Sequence, residues 1–305
     1  MATTLEGARP ATDAAGSNAR GILAMVAAMA CFVTSDTLIK IVGRDMPVSQ
    51  IMFVRGIWTV VLIGTLALAS GAYRHCRALL TPVVGLRTAG EVGATIFFFS
   101  GLVLMPFADA AAIGQFTPLA VTAGAALFLN EPVGWRRWLA TIVGLFGVLL
   151  IIRPGTSAFN PAGLLIVVCV LCVALRDLVT RAMGNAIPAV LLILASAIAT
   201  TAAGLCGRLF QSWIEVDGQM LVGLAFSALG VSGGYYGAII AMRSGEIAVV
   251  APFRYASMLV ALLWGYVIFG EVPDLITYLG IAIVVGAGVY TFHRESVRRR
   301  EAAKS

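Results

Sequence analysis

Ten stretches of this chain hold almost nothing but apolar side chains, and nine short polar breaks separate them. Crossing the hydrocarbon of a bilayer takes about 20 residues of helix. The pattern predicts helices at roughly 21–43, 48–70, 83–104, 107–129, 135–152, 161–181, 187–210, 219–240, 246–269 and 274–292. Ten-residue segments of strict alternation are absent, so the expected class is an all-α membrane bundle and not a barrel. The breaks are too short to hold a soluble domain.

The polar landmarks come in two sets. Gln115-Phe116-Thr117-Pro118 leads through apolar residues to Glu131, and Ala251-Pro252-Phe253-Arg254-Tyr255 leads in the same way to Glu271, 140 positions later. Asp36 has Lys40 four residues on; Asp177, 141 positions later, has Arg181 four residues on. Each copy holds five helices. Five is odd, so the second copy enters the membrane from the opposite side. The expected organisation is a first five-helix repeat at 21–152 and a second, inverted five-helix repeat at 161–292. A disordered tail at 1–20 and a basic tail at 293–305 flank them. Inverted repeats of this kind accompany secondary transporters.

Composition agrees with the pattern. The chain is 60% hydrophobic and 12% charged, against about 25% charged for a soluble domain. A net charge of +6 raises the question of nucleic acid, but its distribution answers it. Thirteen Arg and Lys fall in the loops and tails on one side, and only Arg44, Arg153 and Arg208 on the other. That bias predicts both termini in the cytoplasm of a multi-pass inner-membrane protein. Arg298-Arg299-Arg300 would anchor the last helix at anionic lipid. The expected partners are a small organic solute and the lipid bilayer, with no nucleic acid. A monomer is the default and a homodimer the alternative.

Several chemistries are set aside. His75 and His293 both sit at helix ends, so a histidine metal site or proton relay within the membrane is not expected. No Gly-x4-Gly-Lys-Ser/Thr loop occurs. The five cysteines form no disulfide framework, and Cys169-x-x-Cys172, inside an apolar helix, reads as packing. No metal, cofactor or enzymatic activity is expected.

Charges inside hydrocarbon cost about 2.5–3.5 kcal/mol each on insertion scales, so each needs a reason. Asp36 with Lys40, Arg87 with Glu91, and Asp177 with Arg181 share helix faces at i,i+4 and can neutralise one another. They read either as braces or as a gate or coupling site at matched ends of the two repeats. Arg55 and Arg254 have no local partner. They read either as partners for acids on other helices or as binders of a substrate carboxylate or phosphate. Gln115, Phe116, Phe253 and Tyr255 surround mid-helix prolines and suit either a substrate cavity or the packing of kinked helices. The overlapping Gly230-x3-Gly234 and Gly233-x3-Gly237 suit close helix packing.

At Asn130-Glu131-Pro132 with Gly144 and Gly147, and at Ala251-Pro252-Phe253-Arg254-Tyr255 with Phe269-Gly270-Glu271, the chain resembles the drug/metabolite transporter superfamily, EamA family. The resemblance covers about residues 20 to 292 and implies ten helices in two inverted repeats. Ser35-Asp36-Thr37 to Lys40, Phe53-x-Arg55 and the Ala-Pro-Phe-Arg-Tyr run are similar to a branch with bacterial adenosylmethionine and riboflavin carriers. The superfamily also includes exporters of amino acids and drugs. Repeats and resemblance together lead to the expectation of a secondary carrier of a small organic metabolite working by alternating access; the alternatives are an exporter of amino acids or toxic compounds or, from another class, a membrane-embedded enzyme or sensor. Glu131 and Glu271 are structural marks at helix ends in this reading.

Overall fold

The computed structural model describes residues 11–129, 131, 133–184, 187–244 and 247–302. All regular structure among them is helical, as a lipid environment demands: a helix satisfies its own backbone polar groups. The first repeat contains α1 (Ala11–Val42), α2 (Val48–Ala69), α3 (Pro82–Leu104), α4 (Phe107–Gly114), α5 (Thr117–Phe128) and α6 (Trp135–Ile152). The second contains α7 (Ala162–Met183), α8 (Ala189–Gly207), α9 (Gly218–Ser244), α10 (Ile247–Val250), α11 (Ala256–Phe269) and α12 (Leu275–Ala302). A 3-10 segment at Ala72–Leu80 joins α2 to α3, and another at Ala251–Tyr255 joins α10 to α11. The pairs α4–α5 and α10–α11 each make one broken crossing, so the described residues make ten crossings, and the start of α1 and the end of α12 lie on one face.

Nine spans among the described residues are long and apolar enough to cross a membrane. The remaining expected crossing, α3, has the length but carries Arg87 and Glu91. Large apolar side chains such as Leu66, Phe226 and Leu259 face outward, which lipid tolerates and water does not. The expected disordered tail at 1–20 needs correction: α1 begins at Ala11, because the Ala-rich stretch before Gly21 propagates the helix. Residues 1–10 lie outside the described part. In the expected basic tail, α12 runs on through Ala302.

Packing follows the inverted repeat. The most extensive contacts join α1 to α9, α3 to α7, α2 to α8 and α6 to α12. The α1–α9 and α7–α3 pairs are counterparts, and α2–α8 and α6–α12 each pair a helix with its equivalent in the other repeat. Gly230, Gly234 and Gly237 face α1 at Cys31, Phe32 and Ala28, so these glycines serve internal packing. Gly147 and Gly280 mark the tightest backbone approach between α6 and α12. A Cβ on either would lie 2.9 Å from the other's carbonyl oxygen. The shared core draws Ile39, Leu102, Phe107 and Ile113 from one repeat and Ile166, Leu224 and Val284 from the other.

The breaks in the fourth and ninth crossings come from proline. Pro118, in the first turn of α5, has no N–H to give to Gly114. The freed Gly114 carbonyl accepts instead from the Thr117 hydroxyl at 2.8 Å. Pro252 stands at the same point of the 3-10 turn before α11.

Candidate functional site

A cavity of about 490 Å³ lies between the repeats, within the usual range for small-molecule sites. Its lining runs from Met52 and Phe99, at the level where α1 and α3 end, to Thr180, Met242 and Arg254, at the level where α7 and α9 end; the first level is its deep end and the second its mouth. Lining residues come from α1, α2 and α3 and from α7, α8 and α9, with Arg254 from the ninth crossing. Neither α6 nor α12 contributes.

The cavity wall is heavily charged for a membrane interior. Arg176 on α7 donates to Glu91 on α3 at 3.0 Å and to Asp177 at 2.8 Å. Arg87 on α3 donates to the Thr180 hydroxyl at 3.2 Å, the Leu192 carbonyl at 3.1 Å and the Ser196 hydroxyl at 2.5 Å. Arg55 lies over the Phe99 ring at 5.3 Å and reaches the Ser35 hydroxyl at 3.4 Å. The Tyr235 ring meets Phe32 edge-on at 5.2 Å.

The three expected i,i+4 pairs re-partner. Lys40 bonds Glu271 at 2.7 Å and not Asp36. Glu91 pairs with Arg176 in place of Arg87. Asp177 pairs with Arg176, and Arg181 pairs with Glu131 at 2.9 Å. The i,i+4 rule describes isolated helices in water. Here α1 packs on α11 and α7 on α5, so an acid on the neighbouring helix offers the basic group a less hydrated contact.

Both new pairs arise from the same helix ending. Gly270 takes a left-handed conformation, φ 66°, and ends α11. Its N–H bonds the Tyr266 carbonyl at 3.1 Å, the 5→1 bond of a left-handed cap, and the Glu271 N–H bonds the Gly265 carbonyl at 2.9 Å. The turn tucks the Glu271 side chain back toward α1. The Glu131 N–H likewise bonds the Ala125 carbonyl at 3.2 Å; Asn130 and Pro132 lie outside the described residues. Glu271 then does two things at once. Its Oε1 accepts from Lys40 and its Oε2 from the Phe107 N–H at 2.5 Å, at the electropositive start of α4. Lys40 also donates to the Met105 carbonyl at 2.7 Å and lies 4.8 Å from the Phe269 ring centre. This cluster seals the face opposite the cavity mouth. Its side chains are 9% and 22% exposed, whereas those of Arg181 and Glu131 are 52% and 33% exposed.

Of the six residues expected to bind substrate, Arg55 and Arg254 line the cavity. The other four do not. Gln115 donates to the Ser257 hydroxyl at 2.5 Å, tying the fourth crossing to the ninth. Phe116 packs with Leu119 and Ala140 beside Gly144. Tyr255 turns toward α12, its ring 6.2 Å from Phe292 and its hydroxyl against Gly288. Phe253 is partly exposed away from the cavity. The broken helices give these side chains a packing surface on α6, α11 and α12. Among the expected gate residues Asp177 reaches the cavity; Arg181 lies beside it, in a smaller cleft with Glu131.

Below the seal, Arg153 and Asp274 form an ion pair outside the membrane-spanning segments, and the Thr277 N–H bonds Asp274 at 2.9 Å. The Arg153 bond first, then the helix-capping bond, hold the Asp274 carboxyl far below the usual carboxylate range. The same pairing raises the Arg153 guanidinium.

Residues 19–153 and 160–292 match the EamA-like transporter family. The S-adenosylmethionine uptake transporter of Rickettsia prowazekii (strain Madrid E) is 25% identical over 287 residues, 93% of this chain and 96% of that one. Its counterpart in Rickettsia felis is 29% identical over 197 residues, which takes in 64% of this chain and 66% of that protein. A riboflavin transporter of Brucella anthropi is 25% identical over 291 residues, 91% of this chain and all of that one. A solved structure titled only as the crystal structure of a protein shares the fold, with a TM-score of 0.63, 19% identity, and 92% and 97% of the two chains covered.

Proposed function

Because the chain belongs to the EamA-like transporter family, we propose that this multi-pass membrane protein is a secondary carrier. It moves a small organic metabolite across a bacterial inner membrane by alternating access. What supports this reading is the cavity between the repeats, lined toward Thr180, Met242 and Arg254 and lying away from the Lys40–Glu271 pair at the opposite face. Inverted symmetry supplies a counterpart, Arg181 with Glu131, at the open face. The buried pair is clamped further by Met105 and Phe107, and the counterpart is more exposed. Transport exchanges these two environments: one pair sinks as the other rises, and the cavity changes face. Bistable packing of this kind is how repeats rock about a fixed midplane site.

The solute class follows from the lining. Phe32, Phe99 and Tyr235 offer ring faces, and Met25, Met29 and Met52 supply adaptable apolar surface. The names of the relatives, adenosylmethionine and riboflavin carriers, describe solutes with planar heterocycles, and this chain's cavity suits such a ring.

The test uses Thr95→Cys, a cavity position, in a cysteine-free background. An impermeant thiol reagent should reach it in wild-type protein only from the face that holds the termini. Lys40→Met should add access from the opposite face, and Arg181→Met should not. Equal access from both faces in the parent and in both variants would sink the reading.

A further inference from the structure

We infer that the solute is an organic anion, whose carboxylate or phosphate group is held by Arg55 and Arg87. This rests on the carrier reading above.

Arg55, Arg87, Arg176 and Arg254 line the cavity against Glu91 and Asp177. Both acids are already committed to Arg176, at 3.0 and 2.7 Å. Arg87 is buried, and its three hydrogen bonds go to neutral oxygens. Arg55 has only a long bond to the Ser35 hydroxyl. Its Nε is buried with no hydrogen-bond partner among the described residues. Asp36 first, and then Glu91, act on Arg55 through space; Glu91 is the acid paired with Arg176, and Asp36 forms no ion pair with Arg55 among the described residues and stands outside the lining. Counting it still leaves the site with a positive excess.

A guanidinium ion in a low-dielectric wall is costly without a counter-charge. Where the protein's own carboxylates are used up, a ligand oxyanion completes the set. The planar fork of arginine suits carboxylate and phosphate oxygens. Arg55 also fixes the ligand's pose. It lies on the Phe99 ring near the deep end, so an oxyanion there leaves the ligand's body among Phe32, Tyr235, Met25 and Met29 toward the mouth. The positive wall would also draw anions into the open cavity from solution.

The experiment is solute exchange in proteoliposomes holding the full chain, loaded with three matched pairs. These are nicotinate with nicotinamide, riboflavin 5′-phosphate with riboflavin, and adenosine 5′-monophosphate with adenosine. Mass spectrometry reads each release rate against protein-free vesicles. In at least one pair the anion should exchange at least tenfold faster than its neutral mate. Arg55→Gln and Arg87→Gln should cut that ratio to below about threefold. Arg55→Lys, which keeps the charge, should retain most of it and guards against misfolding, checked by elution volume. Neutral mates moving as fast as the anions, or a preference that survives both glutamine variants, overturns the anion assignment and leaves the carrier standing. No exchange of any compound overturns both.

Discussion

Lys40 and Glu271 are 231 residues apart in sequence, and their charged groups are 2.7 Å apart in space. Arg181 and Glu131 repeat the relationship at the other face at 2.9 Å. In each case the base lies near the end of the first helix of one repeat, and the acid lies two or three residues past the broken fourth crossing of the other. The two pairs are chemically alike and differ in solvent exposure, so they should differ in worth.

Lys40→Met leaves the partly buried Glu271 without its cation and should cost up to about 3 kcal/mol of unfolding free energy. Arg181→Met breaks the exposed counterpart and should cost at most about 1 kcal/mol. Denaturant unfolding in mixed micelles measures both. A smaller loss for Lys40→Met than for Arg181→Met would contradict the difference in burial. Exchanging the two charges, Lys40→Glu with Glu271→Lys, should recover little, because the Phe107 N–H would then face a cation.

The α6–α12 contact leaves no room for a methyl group. Gly147→Ala should destabilise by about 1–3 kcal/mol, the range for overpacked sites, since its Cβ would press on the Gly280 carbonyl. Gly85→Ala, which has nothing within 4 Å of the added atom, is the control and should be neutral or slightly stabilising. Thermal unfolding of the two variants side by side decides.

The Asp274 carboxyl has a lower pKa folded than its ordinary 3.8. Its contribution is therefore complete above that value and is lost as pH falls through the folded value. Wild type and Asp274→Asn should differ in unfolding midpoint by a constant amount from about pH 8 to pH 5, and the gap should narrow below about pH 4. A gap that widens with acid would reverse the sign and rule out this pair as its source.

Cys76 is exposed in the 3-10 segment between α2 and α3, on the face the charge bias puts in the cytoplasm. Retained as the sole cysteine, it should resist an impermeant reagent in intact cells and react in permeabilised ones. A cysteine placed at Thr156, in the exposed loop after α6, should do the opposite. Labelling of Cys76 from outside would invert the topology.

The architecture was legible because lipid enforces it: each crossing needs its own run of apolar residues, and proline at 118 and 252 announces the broken ones. The repeat was legible from Glu131 and Glu271, yet their role was not. Position alone made them helix-end marks; only the turn after Gly270 shows the carboxylate aimed at α1. The charge partners were misassigned for a related reason. Spacing along one helix reports neighbours on that helix, and Lys40 is long enough to prefer an acid on another. Arg87 illustrates the same limit. Beside Glu91 it looked neutralised, and its place on the cavity wall depends on how α3 rotates against α7 and α8. Composition leaves Gln115 and Tyr255 open between a cavity and packing, because which side of a kinked helix faces inward is fixed by tertiary packing.

Glu271 receives two donors on two oxygens, an ammonium group and a backbone amide. Glutamine matches glutamate in shape, yet it has one acceptor oxygen, and its NH2 would meet a group that can only donate. The isosteric replacement is thus chemically discordant at this position, whichever way the amide flips. Tolerance here is a matter of acceptor count and not of size.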